Sequence, residues 1–219
     1  MVASCASVNM HRSLSETQFL CYKACIGSGI DVGRAQDISS SASKIGAYDS
    51  RIFESLPTLI TTPEKRLHLT EKLNTKSAQI QDVSVVQHGP FVADCLQSNL
   101  YTYIQIDHVD NVLLLAGICL HLAPELQIDF TISDRLVGRC SSNRLFADMQ
   151  QLGTNKADFV GLEISKKTKD KLIEAKRSST LNIDATTWSK IELLAKNTYV
   201  AENEYSRIAG AGAGLTDND

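Results

Sequence analysis

Leu126-Gln127-Ile128-Asp129-Phe130-Thr131-Ile132 alternates apolar and polar side chains without a break. Successive residues of a strand point to opposite faces, so this stretch predicts a sheet with one covered face and one wetter face. Working outward, residues 101–107 are rich in β-formers, with Tyr101, Tyr103, Ile104 and Ile106. The apolar run 112–121 reads as a buried strand or strand pair, and residues 157–164 and 180–183 as further strands. Val83-Ser84-Val85-Val86 is strand-like, His88-Gly89-Pro90 breaks it, and Phe91 to Leu96 reads as a short helix. Residues 80–183 are therefore expected to be mainly sheet.

Helices are expected on both sides of this region. At the N-terminal side, residues 1–13 read as a loose lead-in. Ser15 is then a candidate cap, with Gln18 placed to reach back and Leu14 and Phe19 as a hydrophobic staple. This helix stops at Gly27-Ser28-Gly29. A second begins at Asp31 and carries Ala35, Ile38, Ala42 and Ile45 as one stripe, closed by Gly46. The Gly-Ser-Gly step joins helix to helix and lacks a following Lys, so it is read as a turn, not a phosphate loop. A short helix over 51–56 ends at Pro57, and the polar stretch 65–76 reads as a linker. Toward the end, Asp184 caps a helix with Trp188, Ile191, Leu194 and Ala195 on its inner face, and 202–209 suggests one more short helix. The whole chain, 1–219, is expected to form a single domain of α/β or α+β class: a helical hairpin over 14–46, a central mixed sheet over 80–183, and C-terminal helices with a Gly-rich tail over 184–219.

Composition narrows the function classes. The 219 residues are 43% hydrophobic and 21% charged, with a formal net charge of −3. That balance excludes collagen-like and coiled-coil chains and provides no global field for nucleic acid or an anionic membrane. Met1 to Asn9 lacks a basic and an apolar leader region, and the apolar stretch 112–123 falls short of the roughly 20 residues a spanning helix needs. A cytoplasmic location without membrane attachment is the expectation. The cysteines at 5, 21, 25, 95, 119 and 140 form no Cys-x-x-Cys pair. Cys21 and Cys25 share a helix face but have no second pair to complete a zinc site, so they read as packing residues.

The last residues carry a resemblance. Tyr199-Val200, then Ser206-Arg207, then Gly210-Ala211-Gly212-Ala213-Gly214, then Thr216-Asp217-Asn218-Asp219 resemble the tail of the bacterial domain-of-unknown-function family 3726. Leu14, Glu16, Gly27, Gly29, Gly33 and Arg34 match the helical hairpin of that family, and Ala201 departs from its customary Pro. The resemblance implies a stand-alone bacterial protein and brings no activity with it.

Physically, the three tail glycines allow close backbone approach and positive φ, and successive amides there can cradle an anion. Ser206 and Arg207 stand beside them, and an Arg fork suits a carboxylate or phosphate. Arg139, with Arg135 and Arg144 nearby, makes the sequence's richest anion patch. His88 is the candidate proton donor or acceptor, with Asp94 and Cys95 one helical turn on. His108, between Asp107 and Asp110, reads as an acidic hairpin turn, and His121 as a buried, hydrogen-bonded side chain. The basic run 166–171, followed by Lys176 and Arg177, lacks interleaved aromatics and reads as a solvated face.

The expected function is that of a small-molecule enzyme or binding protein handling an anionic, carboxylate-bearing metabolite. Its ligand-binding residues would be Arg139, Ser206, Arg207, Gly210, Gly212 and Gly214, with His88 as the catalytic residue. The alternative is a non-catalytic accessory subunit that organises an oligomer, including a homo-oligomer. Nucleic-acid binding ranks last on charge. No cofactor or metal signature is present.

Overall fold

Val112–Leu122 is a helix, and its surroundings explain why. In the computed structural model, which describes residues 9–72, 75–153, 156–165 and 172–198, this segment is buried along almost its whole length. A run that is apolar on all sides fits a fully enclosed helix as well as a strand. Asn111 decides between them: its side chain accepts from the Leu114 amide at 2.7 Å and so caps a helix start. The leucines that dominate the run are good helix formers. The expected strand over 112–121 is thereby corrected.

In chain order the elements are β1 (Asn9–Ser13), α1 (Leu14–Gly27), α2 (Val32–Gly46), α3 (Ile52–Thr61), β2 (His68–Glu71), β3 (Ser77–Val83), α4 (Val85–Gln97), β4 (Tyr103–Val109), α5 (Val112–Leu122), β5 (Ile128–Ile132), β6 (Arg135–Ser141), β7 (Arg144–Ala147), α6 (Met149–Leu152), β8 (Ala157–Ile164), β9 (Thr180–Asp184) and α7 (Ala185–Lys196). Seven strands form one mixed sheet in the order β2-β3-β4-β8-β5-β6-β7. Only β3 and β4 run parallel, with α4 as their crossover; the other pairs are antiparallel. A separate two-stranded ribbon joins β1 to β9. The α/β class, the N-terminal helical hairpin, the central mixed sheet and the helix after Asp184 all stand as read. The second C-terminal helix and the tail fall outside the described residues.

One sheet face is apolar: Ala78, Ile80, Ile104, Ile106, Ile128, Phe130, Val160 and Leu162 are all fully buried. Helix α5 packs there, with the Cys140 thiol of β6 against the Ala116 carbonyl at 3.6 Å. Helix α2 crosses α5 at Gly117, where a Cβ would stand 2.7 Å from the Ser41 carbonyl oxygen. Cys21 and Cys25 are fully buried on α1, and burial pushes the Cys25 thiol up to about 12, so they pack and do not react. The opposite sheet face is polar. On it Gln79 and Gln105 both donate to Asp107, at 2.5 and 3.1 Å.

Local readings shift where tertiary packing outweighs them. The first cap is Ser13, accepting from Glu16 at 3.1 Å, and Gln18 instead donates to Ser40 on α2 at 2.9 Å. The lead-in includes a strand, β1. Asp31 and Asp184 cap α2 and α7 as expected. The Gly27-Ser28-Gly29 step is a turn, with Gly29 at φ +86°. Pro57 and Pro90 lie inside α3 and α4 instead of ending or preceding them. Helix α3 buries Ile52, Phe53, Leu56, Leu59 and Ile60, and Gly89 of α4 lets Ile118 approach so closely that a Cβ would stand 2.4 Å away. That burial offsets the hydrogen bond each proline removes. Part of the expected linker is β2, an edge strand on β3. The arginine-rich stretch 135–144 is a hairpin, not a loop: Ser142 and Asn143, both at positive φ, form the two-residue turn between β6 and β7.

Candidate functional site

Strands β3 and β4 end side by side, and a helix starts immediately after each. In open sheets with helices, the carboxyl ends of parallel strands are where ligands lie. Here both ends are locally distorted. Asp82 and His108 have φ of 53° and 59°, and the parallel register passes over both, from Gln81 opposite Asp107 to Val83 opposite Val109. Asp and His tolerate the left-handed region better than most residues, but such strain persists mainly where surrounding structure imposes it.

The two helix starts are closed by the chain itself. Asp110 follows β4 and accepts from the Val85 amide at 2.9 Å, capping α4 from outside. Asn111, 1% exposed, caps α5 and donates to the Ser55 hydroxyl of α3 at 3.0 Å. Burial raises the pKa of Asp110; the Val85 amide, the Ser84 hydroxyl and Lys65 pull the other way. The Ser84 hydroxyl acts on this carboxylate without meeting hydrogen-bond geometry, and Ser84 Oγ, Asp110 Oδ2 and His88 Nδ1 are buried polar atoms with no hydrogen-bond partner among the described residues. An unpaired buried polar atom costs about 1–3 kcal/mol, so His88 Nδ1, beside the interacting Ser84 hydroxyl and Asp110 carboxylate, marks a specialised place at the first turn of α4.

Beside this junction lies a crevice of about 200 Å³ lined by Lys65, His108, Asp110, Lys156 and Asp158. His108 Nδ1 is 3.5 Å from the Asp158 carboxylate. Neither the Lys65 nor the Lys156 ammonium forms an ion pair or hydrogen bond among the described residues. The Lys65 backbone is held on both sides from α4: Gln87 Oε1 accepts from its amide at 2.7 Å, and His88 Nε2 is 3.0 Å from its carbonyl oxygen. Gln87 also donates to the Thr62 carbonyl at 3.3 Å. Two adjacent residues of one helix thus fix the segment that brings Lys65 to the crevice.

The residues singled out from sequence are distributed as follows. His88 lies inside α4, 8% exposed, instead of in a strand-to-helix turn. Burial lowers its pKa and outweighs the Lys65 carbonyl, which raises it; since a carbonyl only accepts, Nε2 carries the proton donated to Lys65. His88 stands behind the crevice and His108 on its wall. His108 belongs to β4 and not to a hairpin turn. Arg139 is 7% exposed on the polar sheet face. Its guanidinium grips Asp129 on neighbouring β5 in two-point fashion, at 2.5 and 2.8 Å. Arg144 reaches Glu174 at 3.4 Å. Ser206, Arg207, Gly210, Gly212 and Gly214 lie outside the described residues, as does the basic run 166–171.

Lys65, Asp110 and the Lys156–Asp158 pair were not legible as a group, because three separate chain segments supply them. Among the described residues, no three or more His, Cys, Asp or Glu side chains are placed to share a metal ion, and no helix is long and apolar enough to cross a membrane. Comparison of the chain with protein-family models and with curated proteins finds no match.

Proposed function

We propose that this protein binds a small carboxylate-bearing metabolite in the crevice at the carboxyl end of β4, with Lys65 and Lys156 as the anion-binding side chains. The observation that carries this reading is the presence of two ammonium groups, unpaired among the described residues, on the wall of one crevice. The crevice volume, about 200 Å³, lies below the range of roughly 300–1,000 Å³ typical of drug-sized ligand pockets. A free amino acid or organic acid suits it better than a nucleotide. Asp110 and Asp158 on the same wall favour a ligand that also carries an ammonium or another donor. His108 is the imidazole available for proton exchange with such a ligand.

The test is a thermal-shift screen of amino and organic acids against the wild type, Lys65→Ala and Lys156→Ala. Both lysines are exposed, so neither substitution threatens the fold. A carboxylate at a hundred times its Kd would stabilise the wild type by about 2.7 kcal/mol, and each variant should lose most of that gain. A panel with no stabilising member, or one that stabilises all three proteins equally, overturns the reading and leaves the accessory-subunit alternative, which light scattering then examines.

A further inference from the structure

At the other end of α5, about 16 Å away by helix rise, a second recess gathers positive charge. It measures about 320 Å³ and is lined by Gln18 of α1, Ser40 and Lys44 of α2, His121 of α5, and Arg177 from the segment before β9. Among the described residues no acidic side chain lines it. The Lys44 ammonium donates to the Leu120 carbonyl at 3.1 Å, which fixes it at the carboxyl end of α5. Arg177 is carried by a pinned backbone, since the next amide, Ser178, donates to the Ala47 carbonyl at 2.7 Å. Its guanidinium forms no hydrogen bond or ion pair among the described residues. Burial and then the charge of Arg177 lower the pKa of Lys44. Asp37 of α2 acts on His121, and among the described residues no carboxylate offsets the pressure on Lys44.

The neutral groups are also set to donate. Ser40 Oγ accepts from Gln18 at 2.9 Å and from Gln36 at 3.4 Å. Its acceptor capacity is used, and its own proton is left to point elsewhere. Two cations held near each other in a partly desolvated recess repel one another, and an anion between them relieves that cost.

We propose that this recess is a second binding site, for a phosphate-bearing small molecule held by Lys44, Arg177 and the Ser40 hydroxyl. The donors come from two chain segments, one turn of α2 and the stretch before β9, and so from two sides of the recess. A phosphate monoester presents three terminal oxygens in a tetrahedral array and close to two negative charges, whereas a carboxylate presents two coplanar oxygens and one charge. The volume falls at the lower end of the roughly 300–1,000 Å³ range for ligand pockets, which leaves room for a small organic group beside the phosphate. The inference is independent of the carboxylate crevice, with which it shares no residue.

Isothermal titration with phenyl phosphate, inorganic phosphate and succinate tests it, on the wild type, Arg177→Ala, Lys44→Met and the Lys65→Ala/Lys156→Ala double variant. Expected is binding of both phosphates to the wild type, weakened about tenfold or more in Arg177→Ala and in Lys44→Met and unchanged in the double variant. Arg177 is exposed, so Arg177→Ala remains informative if Lys44→Met fails to fold. No binding at about 10 mM phosphate, binding unaffected by either substitution, loss of binding only in the crevice double variant, or a preference for succinate would each overturn the proposal.

Discussion

His88 Nε2 and the Lys65 carbonyl oxygen lie 3.0 Å apart, joining a buried imidazole to the backbone of a crevice lysine. The bond fixes the tautomer: Nε2 carries the proton and donates, and Nδ1 is left as a bare acceptor. With the Gln87 bond to the Lys65 amide, it makes the start of α4 the holder of the 62–65 segment. His88→Ala should therefore destabilise the fold by about 1–3 kcal/mol, the cost of leaving a carbonyl unpaired. It should also weaken carboxylate binding although the ring does not line the crevice. His88→Gln, with an amide donor of similar reach, should restore part of both. Urea unfolding and ligand titration check the pair, and an unchanged affinity in His88→Ala would remove the positioning role.

Stability should depend on pH with a definite sign. Burial lowers the pKa of both His88 and His121 from the ordinary 6.5. Below that value the unfolded chain takes up protons that the folded chain refuses, so unfolding is favoured as pH falls. The contribution is fully present above about pH 6.5 and is lost progressively below it. Asp37 and Asp110, with pKa values raised from 3.8, act the other way in a more acidic window: their contribution is present below 3.8 and declines as pH rises through their folded values. Urea midpoints at about pH 5.5, 6.5 and 7.5 should rise in that order, with a shallower slope in His88→Gln.

Asn111 holds two structures at once. It caps α5 and bonds Ser55 of α3. Asn111→Ala should cost about 1–2 kcal/mol, combining a lost cap with the lost bond to the Ser55 hydroxyl, which keeps its own donation to the Ile52 carbonyl. Asn111→Asp keeps the cap acceptor but loses the donor to Ser55, and its unfolding midpoint should fall in between.

Gly117 marks the crossing of α2 and α5. Its Cβ would stand 2.7 Å from the Ser41 carbonyl oxygen and 2.9 Å from the Ile45 Cβ, so Gly117→Ala should cost about 1–3 kcal/mol through overpacking. At Gly33, near the start of α2, a Cβ would meet only the Asp31 carboxylate oxygen, 3.6 Å away. Gly33→Ala should instead gain up to about 1 kcal/mol from helix propensity. Thermal unfolding of the two variants should move in opposite directions.

The Arg139–Asp129 pair tests what a buried ion pair contributes on the polar sheet face. Asp129→Ala should cost up to about 3–5 kcal/mol by removing the two-point carboxylate partner of a buried guanidinium. The joint change Arg139→Met with Asp129→Leu should cost much less, and a double-mutant cycle in urea measures the difference.

Several elements were legible because their signals are local. The alternation over 126–132 corresponds to β5, and the caps Asp31 and Asp184 sit where their side chains predicted. Residues 112–121 misled because an enclosed helix and an enclosed strand are both apolar all round. The hairpin turns Ser133-Asp134 and Ser142-Asn143 escaped because neither contains the glycine that usually marks positive φ. His88 stood out as a chemical residue, yet its role as a backbone clamp depends on Lys65, 23 residues away in the chain.

Periodicity, caps and composition by themselves determined the class of this protein: two helices, a one-face-covered sheet and a capped helix near the end. Those features depend on contacts within a few residues, which any reading of the chain can see. Tertiary structure alone decided that Arg139 pairs with Asp129, that Lys65 and Lys156 share a crevice, and that Lys44 and Arg177 line one recess. Charges from distant segments become a site only when the sheet order β2-β3-β4-β8-β5-β6-β7 and the crossing of α2 on α5 bring them to the lining of one recess, where screening by solvent is weaker.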